Sequence, residues 1–576
     1  MDYSIRIGGE AGQGLQVVGS MLARVLSRFG YHVFTNQDSM SRIRGGHNYY
    51  QLRFSEKPVG ASTDRIDLLL ALDANTIDIH RTSVREGGII LYDAADIGKE
   101  FSGPEFYNVP FAGIVEKMGV APVMANSAAV GAVHGIISLG LEKFDVAIDE
   151  VLHKKGQGVI DTNRTVARAG YDYVRKEHGG RNLPGVTAPP GEKLLLINGN
   201  QAIGLGALMS GCKFYAAYPM TPSTSIMAYL SSKAKEYSLI VEQAEDEIAA
   251  INMALGASYG GVRAMTGTSG GGFALMNEGL SLAGMTETPV VVAEVQRPGP
   301  ATGLPTRTEQ GDLFFVLFSG HGEFPRVLFT PGTPEQAFFL TNKAFDLAEK
   351  YQIPVVVQSD QYLADTEWTY PGFDLERLHY EDYRLHPESG DAAPGYKRYA
   401  YTESGVSPLA VPGTSKHLVV VDSDEHDQEG HIIEDAETRR RMVDKRLLRK
   451  LPAISREIAP PALYGHREPA IVLVCYGSTW GVVREAVDRL SDAHEIAMLH
   501  FSEVSPFPAT EKFDYLALLN NATLAVGVEN NATGQFARLM RMETGFHLPV
   551  RINRYDGRPF TIDSLLGELD EHLRRL

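Results

Sequence analysis

Cysteine is nearly absent from these 576 residues, and Cys212 and Cys475 stand far apart with no second Cys or His at ligand spacing. The chain alone therefore builds neither a disulfide framework nor a cysteine-held iron–sulfur cluster, and both cysteines read as small buried apolar residues. Basic charge is also short, with 54 Lys and Arg against 71 Asp and Glu, a net of −17. Such a surface repels phosphate backbones and anionic lipid, which argues against nucleic acid and membrane as partners. No run approaches the roughly 18 apolar residues that cross a bilayer, and the opening Met1-Asp2-Tyr3-Ser4-Ile5-Arg6-Ile7 has no cationic stretch followed by an apolar one. A cytoplasmic protein is expected.

What is present is an ordinary globular composition, 44% apolar and 22% charged. Its length suits about three to five domains. Tyr3 to Ile7 alternates as a strand, Gly8-Gly9-Glu10-Ala11-Gly12-Gln13-Gly14 turns, and Leu15, Val18, Leu22, Val25, Leu26 and Phe29 follow at helical spacing. Further strands at 31–34, 66–72 and 88–92 predict a doubly wound α/β domain over 1–183, closed by a Pro/Gly-rich linker at 184–191. The pattern restarts with a strand at 193–197, glycines at 199, 204 and 206, and strands at 214–218, 289–295 and 354–358, which gives a second α/β domain over 192–363. Residues 364–466 lack apolar periodicity and carry the basic run Arg439 to Lys450, which reads as a solvated helix on an excursion from the core. A last α/β domain spans 467–576, with strands at 469–476 and 524–528. The fold class is α/β, with several open, doubly wound sheets.

Strand-to-helix turns rich in glycine bring N–H groups to an anion, and the turns at 9–14 and 199–206 qualify. Neither keeps the spacing Gly-x-Gly-x-x-Gly, and the second strand ends at Phe34-Thr35-Asn36 without an acid for a ribose, so a nicotinamide dinucleotide is disfavoured. In Tyr218-Pro219-Met220-Thr221-Pro222-Ser223-Thr224, Thr221 is placed as an N-cap and Pro222 as the first helical residue, a turn that can receive a carboxylate or simply cap a helix. Glu245-Asp246-Glu247 leads into a helix of small and apolar residues. There a carboxyl risks burial and a raised pKa, although acids also suit a helix start. Thr266-Gly267-Thr268-Ser269-Gly270-Gly271-Gly272 lets a flat or anionic ligand approach the main chain. Arg297 lies just past a strand end, where ligands of open α/β sheets bind and where a guanidinium can grip a carboxylate.

In this order the segments resemble the 2-oxoacid:ferredoxin oxidoreductases, in the form whose gamma part is fused ahead of the alpha part. The resemblance covers nearly the whole chain. It rests on Gly9 to Gly14 and Ser41-Arg42-Ile43-Arg44-Gly45-Gly46-His47, then on Tyr218 to Thr224, Glu245 to Glu247, Thr266 to Gly272, Gln296 to Asp312, His321-Gly322-Glu323-Phe324-Pro325 and Asp424-Glu425-His426. It implies three domain types in turn: a gamma-type domain, a pyrimidine-binding domain and a transketolase C-terminal-like domain. It further implies a thiamine diphosphate enzyme that decarboxylates a 2-oxo acid, passes electrons to ferredoxin through iron–sulfur chemistry and transfers the acyl group to coenzyme A.

Thiamine chemistry needs a carboxyl group at the pyrimidine N1′. By the family's landmarks that residue is Glu247, with Glu245 as the fallback, beside Pro219, Thr268, Ser269 and Gly270. Thr221 and Arg297 resemble the pair that holds the substrate's carboxylate, while Arg42, Arg44 and His47 would meet a distal carboxylate or coenzyme A phosphates. The family's Mg²⁺-diphosphate site uses Gly-Asp-Gly, which occurs nowhere in this sequence. The resemblance therefore assigns Mg²⁺, half of the coenzyme and the 4Fe-4S cluster to a beta subunit in an (alpha-beta)2 assembly. The fused arrangement and the basic loop favour 2-oxoglutarate over pyruvate or branched 2-oxo acids, in either direction of the reaction. Two readings compete with this one. One is an ATP-dependent acid–thiol ligase with a phosphorylatable His321 or His426, and the other is a non-catalytic scaffold subunit.

Overall fold

The computed structural model describes residues 1–41, 45–139, 142–152, 155–179, 183, 191, 193–385, 395–414 and 416–574. Arg42 and Arg44 lie outside the described residues. The chain divides into two units. The first comprises Met1–Ile197, Thr366–Phe373 and Phe560–Leu576, and the second comprises Asn198–Asp365 and Asp374–Pro559.

The first unit is built on an eight-stranded sheet in the order Phe106–Asn108, Val84–Tyr92, Ile66–Ala71, Asp2–Ala11, Gly45–Ser55, His32–Asp38, Trp368–Tyr370, Leu195–Ile197. The first four strands run parallel, as buried apolar runs such as Ile66-Asp67-Leu68-Leu69-Leu70 suggest. The other half is antiparallel, because Gly45–Ser55 pairs with both Asp2–Ala11 and His32–Asp38. Leu195–Ile197, expected to open the second domain's sheet, instead pairs antiparallel with Trp368–Tyr370 at the edge of this one. Helix Leu15–Phe29 buries Val18, Leu22, Val25 and Leu26 against the sheet, as its spacing predicts. Helices Ala125–Ile136 and Gln157–Glu177 cross so closely that a Cβ on Gly131 would enter the Ala167 carbonyl.

In the second unit a seven-stranded sheet runs Glu503–Ser505, Val327–Phe329, Pro354–Asp360, Val290–Gln296, Ala264–Thr268, Phe214–Ala217, Ile240–Gln243. All of these strands are parallel except the first. A five-stranded sheet, Ala462–Gly465, Ile496–Phe501, Ile471–Tyr476, Leu524–Glu529, Val550–Asn553, completes the unit. The glycines at 199, 204 and 206 do not form a turn. They lie inside helix Gly199–Met209, whose start is closed by an Asn198 capping box, and a Cβ on Gly206 would press into helix Pro334–Tyr351. Both cysteines are buried, and burial pushes the Cys212 thiol up to about 12.

The basic run corrects a sequence expectation. Helix Ala436–Val443 is largely exposed, but Lys445, Arg446 and Lys450 are buried in the turns that follow. Lys445 and Lys450 clasp the two oxygens of buried Glu287, Arg398 donates to the Glu287 carbonyl at 2.7 Å, and Arg446 pairs with Glu425 at 2.7 Å. No helix among the described residues is long and apolar enough to cross a membrane.

Candidate active site

The seven-stranded sheet has a topological switch point. After Phe214–Ala217 the chain moves out to the edge strand Ile240–Gln243, then returns to Ala264–Thr268 on the other side of the strand it left. Crevices at the carboxyl ends of such strands are where open α/β sheets bind ligands. The segments leaving those ends are Tyr218 to Ser223, Ala244 to Glu247, Ser269 to Gly272 and Arg297 onward.

Asp246 caps helix Glu247–Tyr259, its side chain accepting from Ala249 N at 2.7 Å, so Glu247 becomes the first helical residue and turns inward. It is 2% exposed, and its Oε1 has no hydrogen-bond partner among the described residues, whereas Glu245 is exposed. Burial, aided by Asp246, raises the Glu247 carboxyl above the usual range, against the helix's own N–H and Thr268. Thr268 and Ser269 are fully buried, and the Ser269 hydroxyl is likewise without a partner among the described residues. The adjoining glycines are required by space. A Cβ on Gly272 would collide with Glu247 Oε1 and Thr268 Oγ1, and one on Gly270 with Asp312 Oδ2. Buried polar atoms left unpaired are costly, so Glu247 Oε1 and the Ser269 hydroxyl call for a group that brings its own donors and acceptors.

Thr221 does not cap a helix. The helix spans Thr224–Tyr237 with Ser223 at its cap, and the Ser223 hydroxyl bonds Met220 O at 2.8 Å instead of an N–H. The Thr221–Pro222 bond is cis, Thr221 is exposed, and its carbonyl accepts from Arg297 Nη1 at 2.7 Å. Buried Asn200 holds the turn from behind, donating to Pro222 O at 2.9 Å and Ser225 Oγ at 2.7 Å. Pro219 is half-buried at the start of this turn. The second unit thus brings together Pro219, Thr221, Glu247, Thr268, Ser269, Gly270 and Arg297, while His47 lies in the first unit.

Residues 205–445 match the family described as pyruvate flavodoxin/ferredoxin oxidoreductase, thiamine diphosphate-binding, and residues 4–173 match pyruvate ferredoxin/flavodoxin oxidoreductase. Over 98% of this chain and 96% of the relative, the sequence is 32% identical to the 2-oxoacid:ferredoxin oxidoreductase subunit alpha of a Sulfolobus species. The chain belongs to the 2-oxoacid:ferredoxin oxidoreductase alpha subunits. Similarity extends to the 2-oxoglutarate oxidoreductase subunit KorA of Mycobacterium tuberculosis, at 28% identity over 93% of this chain and 86% of that one. Among solved structures, the 2-oxoglutarate:ferredoxin oxidoreductase from Magnetococcus marinus, with 2-oxoglutarate, coenzyme A and succinyl-CoA bound, aligns with a TM-score of 0.90 at 31% identity over 99% of both chains. The α/β class of open sheets is therefore the class of this alpha subunit, and its switch point lies within the thiamine diphosphate-binding match. His426, one of the two candidates for the ligase's phosphorylatable histidine, is fully buried with Nδ1 3.0 Å from Asp424 O, a poor position for phosphorylation.

Sequence reasoning missed two acids of this alpha subunit. Glu294 sits between Thr268 and Gln358 on neighbouring strands, fully buried, with both carboxyl oxygens unpartnered among the described residues. Burial, with Asp312 and Asp360 adding like charge, pushes its carboxyl well above the usual range. Its signal was a lone acid inside the apolar run Val290 to Gln296. Asp312 is lifted by burial to about 6 from an ordinary 3.8, against the pull of Arg297. A carboxyl whose folded pKa exceeds its unfolded one weighs against the fold once ionised. That penalty is absent at pH 3, grows as pH rises between the two values and is complete above the higher one. Asp312→Asn is therefore expected to stabilise the chain by about 2 kcal/mol at pH 8 and not at pH 3.5. Urea unfolding at both pH values checks this, and an equal difference at the two would refute it.

Proposed function

We propose that this chain is the alpha subunit of a 2-oxoglutarate:ferredoxin oxidoreductase that forms succinyl-CoA and CO2, or runs in reverse with reduced ferredoxin. The observation that carries the reading is Glu247: a buried carboxyl of raised pKa with an orphaned oxygen, facing the glycines that open helix Gly270–Phe273 at the switch point. When bound there, thiamine diphosphate supplies a carbon nucleophile to the 2-oxo group. Glu247 would hold the proton at the pyrimidine N1′, and Pro219, Thr268, Ser269 and Gly270 would flank the ring. Thr221 and Arg297 would orient the substrate's 2-oxo carboxylate, with Arg297 tied back to the Thr221 carbonyl. Arg42, Arg44 and His47 would meet the distal carboxylate or coenzyme A phosphates. In this reading 1–183 contributes those basic groups, 192–363 the pyrimidine site, 364–466 a connection and 467–576 a supporting α/β domain.

The Magnetococcus marinus protein, with 2-oxoglutarate and coenzyme A bound, supports the choice of substrates. Two buried cysteines and the missing Gly-Asp-Gly support a beta subunit that carries Mg²⁺, the diphosphate and a 4Fe-4S cluster in an (alpha-beta)2 assembly located in the cytoplasm. Purification through a tag on this chain should bring down a smaller iron-containing protein together with thiamine diphosphate. That complex should turn over 2-oxoglutarate at least about tenfold faster than pyruvate or branched 2-oxo acids, because an unpaired cation facing an apolar tail leaves polar groups unsatisfied. A preference for an uncharged tail would overturn the substrate choice, and the absence of thiamine diphosphate would overturn the whole reading.

A further inference from the structure

Three side chains stand in line on one face of the first unit's sheet. Arg6 Nη1 is 3.1 Å from His80 Nδ1, and His80 Nε2 is 2.7 Å from His47 Nε2. A guanidinium has donors only. His80 Nδ1 must therefore accept, its proton sits on Nε2, and that proton is directed at His47. His47 Nε2 accepts in turn, which places the remaining proton on His47 Nδ1. That nitrogen is buried and has no hydrogen-bond partner among the described residues. Arg6 is itself fixed, donating to Gln51 Oε1 at 2.7 Å and lying 4.6 Å from the centre of the Tyr49 ring.

The same geometry resists a second proton on either ring. An extra proton on His80 would face an Arg6 N–H, and one on His47 Nε2 would face the N–H of His80. Burial lowers both imidazoles, His80 to about 3 with Arg6 and His47 adding to the effect. The charged and titratable groups facing His47 are Asp73 and Asp38, which favour its cation, Arg6, which opposes it, His80, Tyr49, and Glu10 directly across the antiparallel pair. A neutral imidazole with an aimed N–H is a hydrogen-bond donor that does not depend on pH across the physiological range.

We propose that Arg6 and His80 are positioning residues that fix His47 as a neutral Nδ1–H donor to an acceptor oxygen of an anionic ligand, a carboxylate or a phosphate. The assignment rests on the proposed function only for which ligand is used. The titration arm uses the tagged complex, with exchange of each imidazole Cε1 hydrogen followed by peptide mass spectrometry from pH 4 to 9. Wild-type His47 should show a midpoint below 6, Arg6→Met should raise the midpoints of His47 and His80 by at least one pH unit, and Arg6→Lys, which keeps a donor, should restore them. If Arg6→Met does not assemble, wild type and Arg6→Lys still decide, because a wild-type His47 midpoint at or above 6.5 overturns the proposal.

The kinetic arm compares His80→Phe, which removes the donor to His47, with His80→Gln, whose amide can replace it. His80→Phe should raise KM about tenfold with kcat changed less than twofold, and His80→Gln should return KM to within threefold of wild type. A rise confined to 2-oxoglutarate identifies a carboxylate, and one confined to coenzyme A a phosphate. Equal KM values in the two variants for both substrates overturn the donor role. A complex that uses neither substrate refutes the proposed function and leaves the titration arm to decide the tautomer.

Discussion

Glu247→Gln is expected to lower kcat of the assembled enzyme about 10³-fold, with KM for the 2-oxo acid within about threefold of wild type. The two side chains have nearly the same volume, so the fit against Gly272 and Thr268 is kept and only the exchangeable carboxyl proton is lost. Stability separates a chemical loss from a folding one. The folded chain holds the Glu247 carboxyl above its ordinary 4.5, so ionisation is penalised and the penalty grows as pH rises through that value. The amide carries no such penalty, and the variant should unfold at the same denaturant concentration as wild type or a higher one at pH 7.5. Glu245→Gln, at an exposed position, should leave kcat within about twofold. Steady-state kinetics on complexes matched for thiamine diphosphate content would check both. Equal losses at 245 and 247, or a Glu247→Gln complex of normal rate, would remove Glu247 from the chemistry.

The largest effect on stability is expected at a residue far from that chemistry. Glu287 is 1% exposed and sits between the ammonium groups of Lys445 and Lys450, both equally buried. Burial alone would raise its carboxyl, but Lys445, Lys450 and Arg398 override that and hold it well below the ordinary range. Removing one partner of a buried charge cluster strands the others without solvent, at a cost of about 3–5 kcal/mol. Glu287→Ala should lose that much in urea unfolding. Adding Lys445→Met and Lys450→Met should recover at least half, since the charges that were stranded are then gone. The depressed carboxyl contributes its stability at all pH values above the unfolded 4.5 and gives it up only as pH falls toward the folded value. Removing Glu287 also removes the charge that keeps buried Lys445 and Lys450 protonated, so their stranded protons leave as pH rises and the loss in Glu287→Ala should be smaller at pH 8 than at pH 6. A cost under 1 kcal/mol would mean that the cluster is solvated in solution.

The contrast between Glu287 and Glu247 shows what the sequence made legible. Buried parallel strands such as Ile66–Ala71, Val290–Gln296 and Ile471–Tyr476 declare themselves as apolar runs, and the glycines at 270–272, which open a helix, declare close approach. Glu247 could be singled out because an acid beside a small-residue helix is a local feature. Strand Gly45–Ser55 gives no such sign. Its inward positions include Gln51 and Arg53, which are satisfied by Ser4 Oγ at 2.8 Å, the Thr63 carbonyl at 2.7 Å, Asp2 at 2.8 Å and the Ala61 carbonyl at 2.8 Å. Nothing in a polar strand reveals that partners elsewhere in the chain make it buried. Lys445 and Lys450 looked solvated for the same reason, because Glu287 stands some 160 residues earlier. At the Thr221 turn the residue types were right for a cap, but Ser223 lies two positions nearer the helix and took that place.

The first unit also sets an order on biosynthesis. Its sheet is finished only by Trp368, which packs on Phe34 with ring centres 4.9 Å apart, and its surface only by Asp563, which accepts from Thr63 Oγ1 at 2.6 Å. As the chain leaves the ribosome, more than three hundred residues emerge between Phe34 and the strand that covers it. His32–Asp38, made long before the strand that covers it, thus keeps an open edge during the interval.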